Sequence, residues 1–211
     1  MPQPALLDPI AALPLRSRTP VEWGRSVLAD PIALLIDHAF LEKKAANNAM
    51  ELMTHWPGDW LPGWVDAMTA VARDETAHLA HVIRLLSRKG GKLARTHKNP
   101  YANALRLLVR KGDTNEIIDR LFVSALIELR SCERFAILAR TADGPAQDAD
   151  LASFYGALCA SEMGHYKMFL KLARKIAPRA SVDARWHDML ESEARIIAEQ
   201  SPGPRIHSGW A

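Results

Sequence analysis

The chain has 211 residues, of which 48% are hydrophobic, and a formal net charge of +3. That length suits one domain with a sizeable core, and so mild a positive charge permits an anionic partner without requiring one. No run of roughly 18 or more uncharged apolar residues occurs, so the sequence predicts no membrane span. The N-terminus lacks a signal-peptide pattern, and two cysteines, Cys132 and Cys159, are too few for a disulfide framework. We therefore expect a single-domain, cytoplasmic protein over residues 1–211.

The first half of the chain predicts an arm followed by two long helices. Residues 1–29 are rich in proline and predict an irregular N-terminal arm. An Asp-Pro pair is a helix-start signal for a first long helix over about 30–56. A tryptophan-bearing loop, "WPGDWLPGW", separates it from a second helix over about 62–89, which a Gly-Gly pair ends.

The second half predicts two more long helices and two shorter ones. A basic connector leads to a short helix over about 101–111, and a third long helix follows over about 113–141. The fourth long helix covers about 148–176, and a C-terminal helix covers 181–200. Because strand-like alternation is absent, the content is that of an all-α four-helix bundle with one crossover connection.

Two Glu-x-x-His pairs stand in long helical segments. They are Glu75 with His78, and Glu162 with His165. Residues three apart lie on one helix face, so each pair can present a carboxylate and an imidazole to the bundle interior. Such a pair makes half of a site for a first-row transition metal. One pair is a weak signal, but two, on the second and fourth long helices, predict a metal centre between them.

A di-metal carboxylate bundle also requires one Glu from each of the other two long helices. The first helix offers Glu42 on a largely apolar stripe, and the third offers Glu128 or Glu133, which lie about 140° apart around the helix. Glu42 precedes Glu75 by 33 residues. In the other helix pair, Glu128 precedes Glu162 by 34 residues and Glu133 precedes it by only 29. This pseudo-symmetry favours Glu128 as the ligand, and we expect Glu133 to be an outer neighbour or an ion-pair partner of an arginine.

The predicted metal ligands are therefore Glu42, Glu75, His78, Glu128, Glu162 and His165. Each of them alone could be an ordinary polar helix residue, so the prediction depends on the whole set. Burying four carboxylates is costly unless positive charge accompanies them, and two divalent ions would supply it. Asp37, His38 and Asp74 are candidates to hydrogen-bond the ligand imidazoles.

The segments that carry these residues resemble a known family. The MiaE-type tRNA hydroxylases, of the ferritin-like di-iron carboxylate superfamily, are similar to "DHAFLEKKAANNAMELM", "RDETAHLAHV", "LIELRSCERFAILA" and "SEMGHYKMFLKLA". The resemblance covers about residues 30–200 and implies a ferritin-like bundle over 30–177 with the six ligands above. It also implies an O2-dependent monooxygenase with two iron ions and an external electron donor. Its substrate would be the isopentenyl group of 2-methylthio-N6-isopentenyladenosine, next to the anticodon of tRNA.

Basic residues gather in two regions that could contact RNA. One covers 84–98 and leads into Arg106, Arg110 and Lys111, and the other covers 167–179. If the crossover connector runs the length of the bundle, residues 106–111 and the end of the fourth helix share one end. That end is a candidate footprint for phosphates. The tryptophans of the first loop could pack together or stack a substrate base.

Three other functions share parts of this pattern. A ferritin-class iron-handling or ferroxidase protein has the same ligands but needs no substrate pocket. A di-manganese catalase-like enzyme would differ in its metal. A helical RNA-binding bundle without metal would be colourless and would fold equally well in chelator.

Overall fold

The computed structural model describes residues 8–144 and 148–210. Its helices are α1 (Asp8–Ala11), α2 (Val21–Leu28), α3 (Pro31–Met53), α4 (Trp64–Arg88), α5 (Pro100–Arg106), α6 (Asp113–Asp143), α7 (Ala149–Ile176) and α8 (Arg179–Ala198). No strand occurs in the two described ranges, so the all-α prediction is confirmed. The first residues of the predicted arm, 1–7, and part of the predicted loop before α7, 145–147, lie outside the described residues.

Four long helices form two packed pairs, α3 with α4 and α6 with α7. The connector between the pairs contains α5. At one end of the bundle Asn48 of α3 donates to the Ser124 hydroxyl of α6 (2.9 Å), and the tryptophan-rich loop 54–63 leaves α3 there. We call this the tryptophan end. At the opposite end Lys89 contacts Asp148, where α4 ends and α7 begins, and we call it the Lys89 end.

Side-chain caps begin α3 and α7 close to where the sequence predicted these helices to start. The Asp30 carboxylate accepts a hydrogen bond from the backbone N–H of Ala33 (3.0 Å), and Asp148 accepts one from that of Leu151 (3.1 Å). Each cap satisfies a backbone donor that the helix itself leaves free. The loop between α3 and α4, 54–63, is a few residues longer than the sequence indicated.

The N-terminal arm is not irregular throughout, contrary to the prediction. Residues Val21–Leu28 form α2, in which Trp23 and Val27 are buried. Gly24 lies against α6, and a Cβ at this position would come within 2.5 Å of the Thr141 hydroxyl oxygen. Only glycine permits this approach. Because the helix is held by contacts with a distant part of the chain, local sequence signals did not indicate it.

The C-terminal tail after α8 has no regular helix, yet its residues 206–209 are buried. The Trp23 indole N–H donates to the Ser208 hydroxyl (2.9 Å), and Arg134 donates to the Ser208 carbonyl (3.0 Å). The Arg134 guanidinium lies 3.9 Å above the Trp23 ring, a cation–π contact. His207 is buried and stacks on Tyr101. The tail therefore joins the arm to α6.

A buried ion network joins α6 to α8 and to the arm. Arg130 donates to both carboxylate oxygens of Glu193 (2.8 Å each) and to Glu133 (2.5 Å). Thr19 donates to Glu133 through its hydroxyl (2.6 Å) and its backbone N–H (3.2 Å), and Tyr101 donates to Glu193 (2.9 Å). A buried network of this kind adds little net stability, but losing one partner is strongly destabilising.

Two expectations from composition can be compared with the fold. Both cysteines are free and buried, in line with the absence of a disulfide framework. Across residues 8–144 and 148–210, each helix is too short or too polar to cross a bilayer.

Candidate metal centre

The six predicted ligands converge in the middle of the bundle. They form two clusters, Glu42–Glu75–His78–Glu162 and Glu75–Glu128–Glu162–His165, and in each cluster one donor atom per residue lies within 4.8 Å of the others. Glu75 and Glu162 belong to both clusters, so two adjacent sites share a pair of carboxylates. Each of the four long helices contributes to this arrangement, as the spacing of the two helix pairs predicted.

His78 faces three carboxylates without forming a hydrogen bond to any of them. The Nδ1 atom of His78 lies 3.6 Å from an oxygen of Glu42 and 3.7 Å from an oxygen of Glu162. The same atom lies 3.8 Å from an oxygen of Glu75. These distances are too long for hydrogen bonds and leave space for an ion between the donors.

The ligands lie where the helices pass from one hydrophobic cluster to another. On α4, Glu75 and His78 stand between Ala72, of the cluster towards the tryptophan end, and Val82, of the cluster towards the Lys89 end. The same change of cluster occurs on α3 between residues 39 and 49, on either side of its ligand. The polar centre is therefore enclosed by apolar side chains along the bundle axis.

Several buried donor atoms in this centre have no hydrogen-bond partner. They are Oε1 of Glu75, Nδ1 of His78, Oε1 of Glu162 and Nδ1 of His165. His165 Nδ1 and Glu75 Oε1 lie 2.8 Å apart, an ion-pair distance, but the two atoms do not form a hydrogen bond. Buried polar atoms nearly always have partners, so four orphans in one place require an explanation. Coordination of metal ions provides one, because it uses the lone pairs of imidazole nitrogens and carboxylate oxygens.

Burial raises the pKa of most carboxyl groups in the centre. The pKa values of Glu42 and Glu162 lie well above the usual range, and the pKa of Glu128 is raised to about 7. Neighbouring carboxylates add to these shifts because like charges repel. At Glu75, burial also favours the neutral form, but contacts with the two imidazoles, that of His165 foremost, outweigh it and hold the pKa below its usual range.

The pKa values of the two imidazoles are also raised, but here the cause is the neighbouring carboxylates and not burial. Burial disfavours their charged form, but contacts with Glu42 and Glu75 raise the pKa of His78 to about 10. In the same way Glu75 and Glu128 raise the pKa of His165 to about 9. At neutral pH, protons therefore occupy positions that a metal would take. Metal binding here must release protons.

Neighbouring side chains orient the predicted ligands. His38 is fully buried, and its Nε2 atom lies 2.5 Å from Oε1 of Glu42. Burial lowers the pKa of His38 to about 3, so the ring is neutral and its N–H donates to the carboxylate. Asp74 lies 3.5 Å from Nε2 of His165, a long hydrogen bond on the side of the ring away from the cluster.

The sequence predicted that Asp37, His38 and Asp74 hydrogen-bond the ligand imidazoles. In the structure the three residues have different partners. Asp74 contacts a ligand imidazole, as expected. His38 instead contacts a ligand carboxylate, and Asp37 accepts hydrogen bonds from His97 (2.7 Å) and from the backbone of the C-terminal tail. Asp37 was therefore misassigned, because burial beside the tail could not be seen from its position on the helix.

The family profile described as tRNA-(MS2IO6A)-hydroxylase (MiaE) matches residues 6–208, nearly the whole chain. The chain belongs to this family. Its resemblance to the MiaE-type enzymes is thereby confirmed, and membership makes the chain a tRNA hydroxylase.

Individual relatives agree with this assignment. A protein from Pseudomonas putida named tRNA 2-(methylsulfanyl)-N(6)-isopentenyladenosine(37) hydroxylase is 38% identical over 192 residues, which are 90% of each chain. A Salmonella typhimurium protein of the same name is 33% identical over 173 residues, 82% of this chain and 61% of the relative. A solved structure from Synechococcus, described as a protein with aldehyde deformylating oxygenase activity, has a TM-score of 0.83 at 31% identity, covering 92% of this chain and 96% of its own. The MiaE-family chain thus has a ferritin-like four-helix bundle.

Glu133 lies outside the candidate centre of this MiaE-family chain. Its carboxylate contacts Arg130 and Thr19, as described above, and a further cation, Arg18, lies 3.9 Å away. The predicted arginine partner is thus present in the structure, and no donor atom of Glu133 belongs to either cluster.

The basic residues of the MiaE-family chain divide between the ends as predicted. Arg185 of α8 donates to the Leu108 carbonyl (2.8 Å), so the connector 107–112 meets the first turns of α8, which follows α7 directly. Arg88 and Lys89 lie at the opposite end. Several cations at the connector and α8 end are already paired. Arg110 pairs with Asp119, and both Arg174 and Arg179 pair with Asp183.

The three tryptophans of the first loop have different environments. Trp64 is buried and its indole N–H donates to the Leu52 carbonyl (2.9 Å), so it packs the loop. Trp56 is 46% exposed and Trp60 is 60% exposed, and their rings make an edge-on contact with centroids 5.5 Å apart. Only this exposed pair is available to a partner molecule.

Proposed function

We propose that this MiaE-family chain hydroxylates the isopentenyl group of 2-methylthio-N6-isopentenyladenosine in tRNA, using O2 and a di-iron centre. The observation that carries the proposal is the pair of interlocking clusters that share Glu75 and Glu162. Four carboxylates and two imidazoles suit two iron ions. The names of the relatives support the substrate, and an external donor must supply the electrons.

The predicted ligands divide naturally between two ions. Glu42 and His78 would help to hold one ion and Glu128 and His165 the other, and Glu75 and Glu162, which belong to both clusters, could serve both ions. When bound, the ions supply O2 activation and the oxidation of an unactivated C–H bond.

The chain's own residues orient the ligands and exclude water. His38 donates its N–H to one oxygen of Glu42, which leaves the other oxygen directed towards His78. Asp74 accepts from Nε2–H of His165 and so keeps Nδ1 free to bind metal. The apolar clusters on either side keep bulk water from the centre.

The partners and the location follow from the same proposal. The tRNA would bind through its anticodon arm, and a separate redox protein would deliver electrons. Cytoplasmic location and a single domain over 1–211 remain predictions.

The activity can be tested with purified protein loaded anaerobically with ferrous iron. A chemical reductant with a mediator would replace the unknown donor, and the substrate would be an anticodon stem-loop carrying the modified adenosine. Under labelled O2 we expect the nucleoside to gain one labelled oxygen atom. Iron-loaded protein that oxidises iron and retains it as mineral, without hydroxylating the RNA, would favour a ferritin-class function instead.

Glu128→Ala and Glu133→Gln form a matched pair for this assay. The two positions lie on the same helix, but only Glu128 contributes to a cluster. We expect activity to disappear in the first variant and to persist in the second. The opposite pattern would contradict the assignment of ligands.

A further inference from the structure

A surface cavity of about 320 Å³ lies at the tryptophan end, on the side of α3 and α6. Its polar lining comes from Asn48 and Glu51 of α3, from Arg120 of α6, and from Arg106 and Lys111 of the connector. The connector and α6 thus bring three cationic groups to one concave site beside α3.

Positive charge exceeds negative charge in this cavity. Three cations face a single carboxylate, and that carboxylate, Glu51, pairs with one nitrogen of Arg120 (2.6 Å). The remaining N–H groups of Arg120 stay available for a second anion. Arg106 and Lys111 form no ion pair within the described residues.

Two other arginines at this end of the bundle do form ion pairs. The guanidinium group of Arg110 donates hydrogen bonds to Asp119, and that of Arg174 donates one to Asp183. Those arginines hold the connector and α8 in place. The cavity therefore keeps uncommitted cations, whereas Arg110 and Arg174 at the same end are paired with carboxylates.

The exposed tryptophans belong to the same end of the molecule. Their loop begins directly after the last turn of α3, which carries Glu51. Trp56 and Trp60 present aromatic faces to solvent. Cationic side chains beside exposed aromatic rings are what single-stranded RNA binds, because its phosphates and unstacked bases need both.

The cavity is close to the candidate centre but opens on another side. Along α3, Asn48 lies six residues from Glu42, or about 9 Å of helix rise. His78 on α4 is the most exposed of the six predicted ligands, at 15% of its side chain. A phosphate in the cavity would therefore belong to a different nucleotide from the one that reacts.

We propose that this cavity binds a backbone phosphodiester of the anticodon arm, while Trp56 and Trp60 stack on unpaired loop bases. Arg106, Lys111 and the free N–H groups of Arg120 donate to the phosphate oxygens, and arginine suits that geometry. This inference rests on the proposed function, since it assumes that the substrate is carried by RNA.

The test uses a double variant, Arg106→Gln with Lys111→Gln in one chain, which we call the cavity variant. It is compared with a matched control at the Lys89 end. The control is Arg84→Gln with Lys92→Gln, which removes the same charge from exposed positions in the other basic region. The probe is a fluorescent anticodon stem-loop with unmodified adenosine, so that binding is measured without the reaction. We expect affinity to fall about 10-fold or more in the cavity variant, and the slope of log affinity against log salt to decrease in magnitude by about 1, because one phosphate loses its cations. The control should change neither value by a comparable amount.

Trp60→Ala separates stacking from charge. We expect it to weaken RNA binding with an unchanged salt slope, because a ring contributes no counterion release. Binding equal to that of the wild type in both the cavity variant and Trp60→Ala would overturn the inference. An equal loss in the cavity variant and the control would also overturn it, since that result indicates a diffuse charge effect.

Turnover of the modified stem-loop distinguishes failure of this inference from failure of the proposed function. We expect the cavity variant to show a higher KM with kcat unchanged, because its residues do not contact the reacting base. Normal turnover with unchanged KM would refute the phosphate site while leaving the hydroxylase intact. Wild-type protein that binds RNA but never hydroxylates it would refute the proposed function and leave the binding surface standing. Lys111→Gln alone serves if the double variant is unstable.

Discussion

Replacement of Glu133 tests whether the two neighbouring glutamates of α6 have different tasks. The Glu133 carboxylate accepts hydrogen bonds from Arg130 (2.5 Å), the Thr19 hydroxyl (2.6 Å) and the Thr19 backbone N–H (3.2 Å). In Glu133→Ala these buried donors lose their acceptor, and each such loss costs about 1–3 kcal/mol when taken alone. Breaking a buried ion pair costs about 3–5 kcal/mol. Because Glu193 continues to neutralise Arg130, we expect a value near the lower limit, about 3 kcal/mol.

Urea unfolding and metal analysis of the same samples would check this prediction. A loss of about 3 kcal/mol leaves a domain of ordinary stability folded, so the variant can be purified. We expect the midpoint of unfolding to fall with the slope unchanged, and the metal content per chain to stay at the wild-type value. Glu133→Gln should lose less stability, because its amide oxygen can still accept from Thr19.

The outcome that would refute this reasoning is specific. If Glu133→Ala kept wild-type stability and lost metal as fully as a ligand variant, Glu133 would be the ligand from α6. The spacing argument that selected Glu128 would then be wrong.

Three further predictions concern other buried groups. Glu128→Ala should bind half or less of the wild-type metal, measured by elemental analysis, and full occupancy would remove it from the ligand set. Burial holds the pKa of His207 well below its usual value of 6.5, so the unfolded state binds a proton that the folded state excludes. Stability should therefore decline by up to about 1.4 kcal/mol per pH unit as pH falls below about 6.5, and His207→Gln should decline less steeply. Burial would raise the pKa of Asp119, but hydrogen bonds from Arg110 and Arg185 outweigh it and lower that pKa. Asp119→Asn should be less stable at neutral pH, and the difference from wild type should vanish as pH falls through the depressed pKa, below about 3.8; a constant difference would contradict this.

The sequence was most informative where residues act through helix periodicity. Three-residue spacing placed Glu75 beside His78, and nearly equal spacing in the two helix pairs, 33 and 34 residues, placed Glu42 and Glu128 opposite them. Local caps such as Asp30 likewise set helix starts, because a side chain and a backbone N–H three residues apart interact whatever the rest of the fold does. These features need no knowledge of distant contacts.

Long-range packing determined what could not be predicted. Helix α2 forms where Gly24 meets Thr141, two residues that are far apart in the chain. The pairing of Arg130 with Glu193 and the binding of Asp37 to the C-terminal tail depend on the same kind of contact. The sequence indicated a phosphate footprint around residues 106–111, but it did not indicate the cavity beside Arg120, which exists only where α3, α6 and the connector meet.

Metal content and the optical spectrum of freshly purified protein test the central claim most directly. The account predicts two iron ions per chain, an absorption band of oxo-bridged ferric iron, and loss of both after reduction in the presence of a chelator. Protein that contains no metal, binds none when iron is supplied, and is equally stable in chelator would contradict the di-iron centre, and with it the proposed reaction.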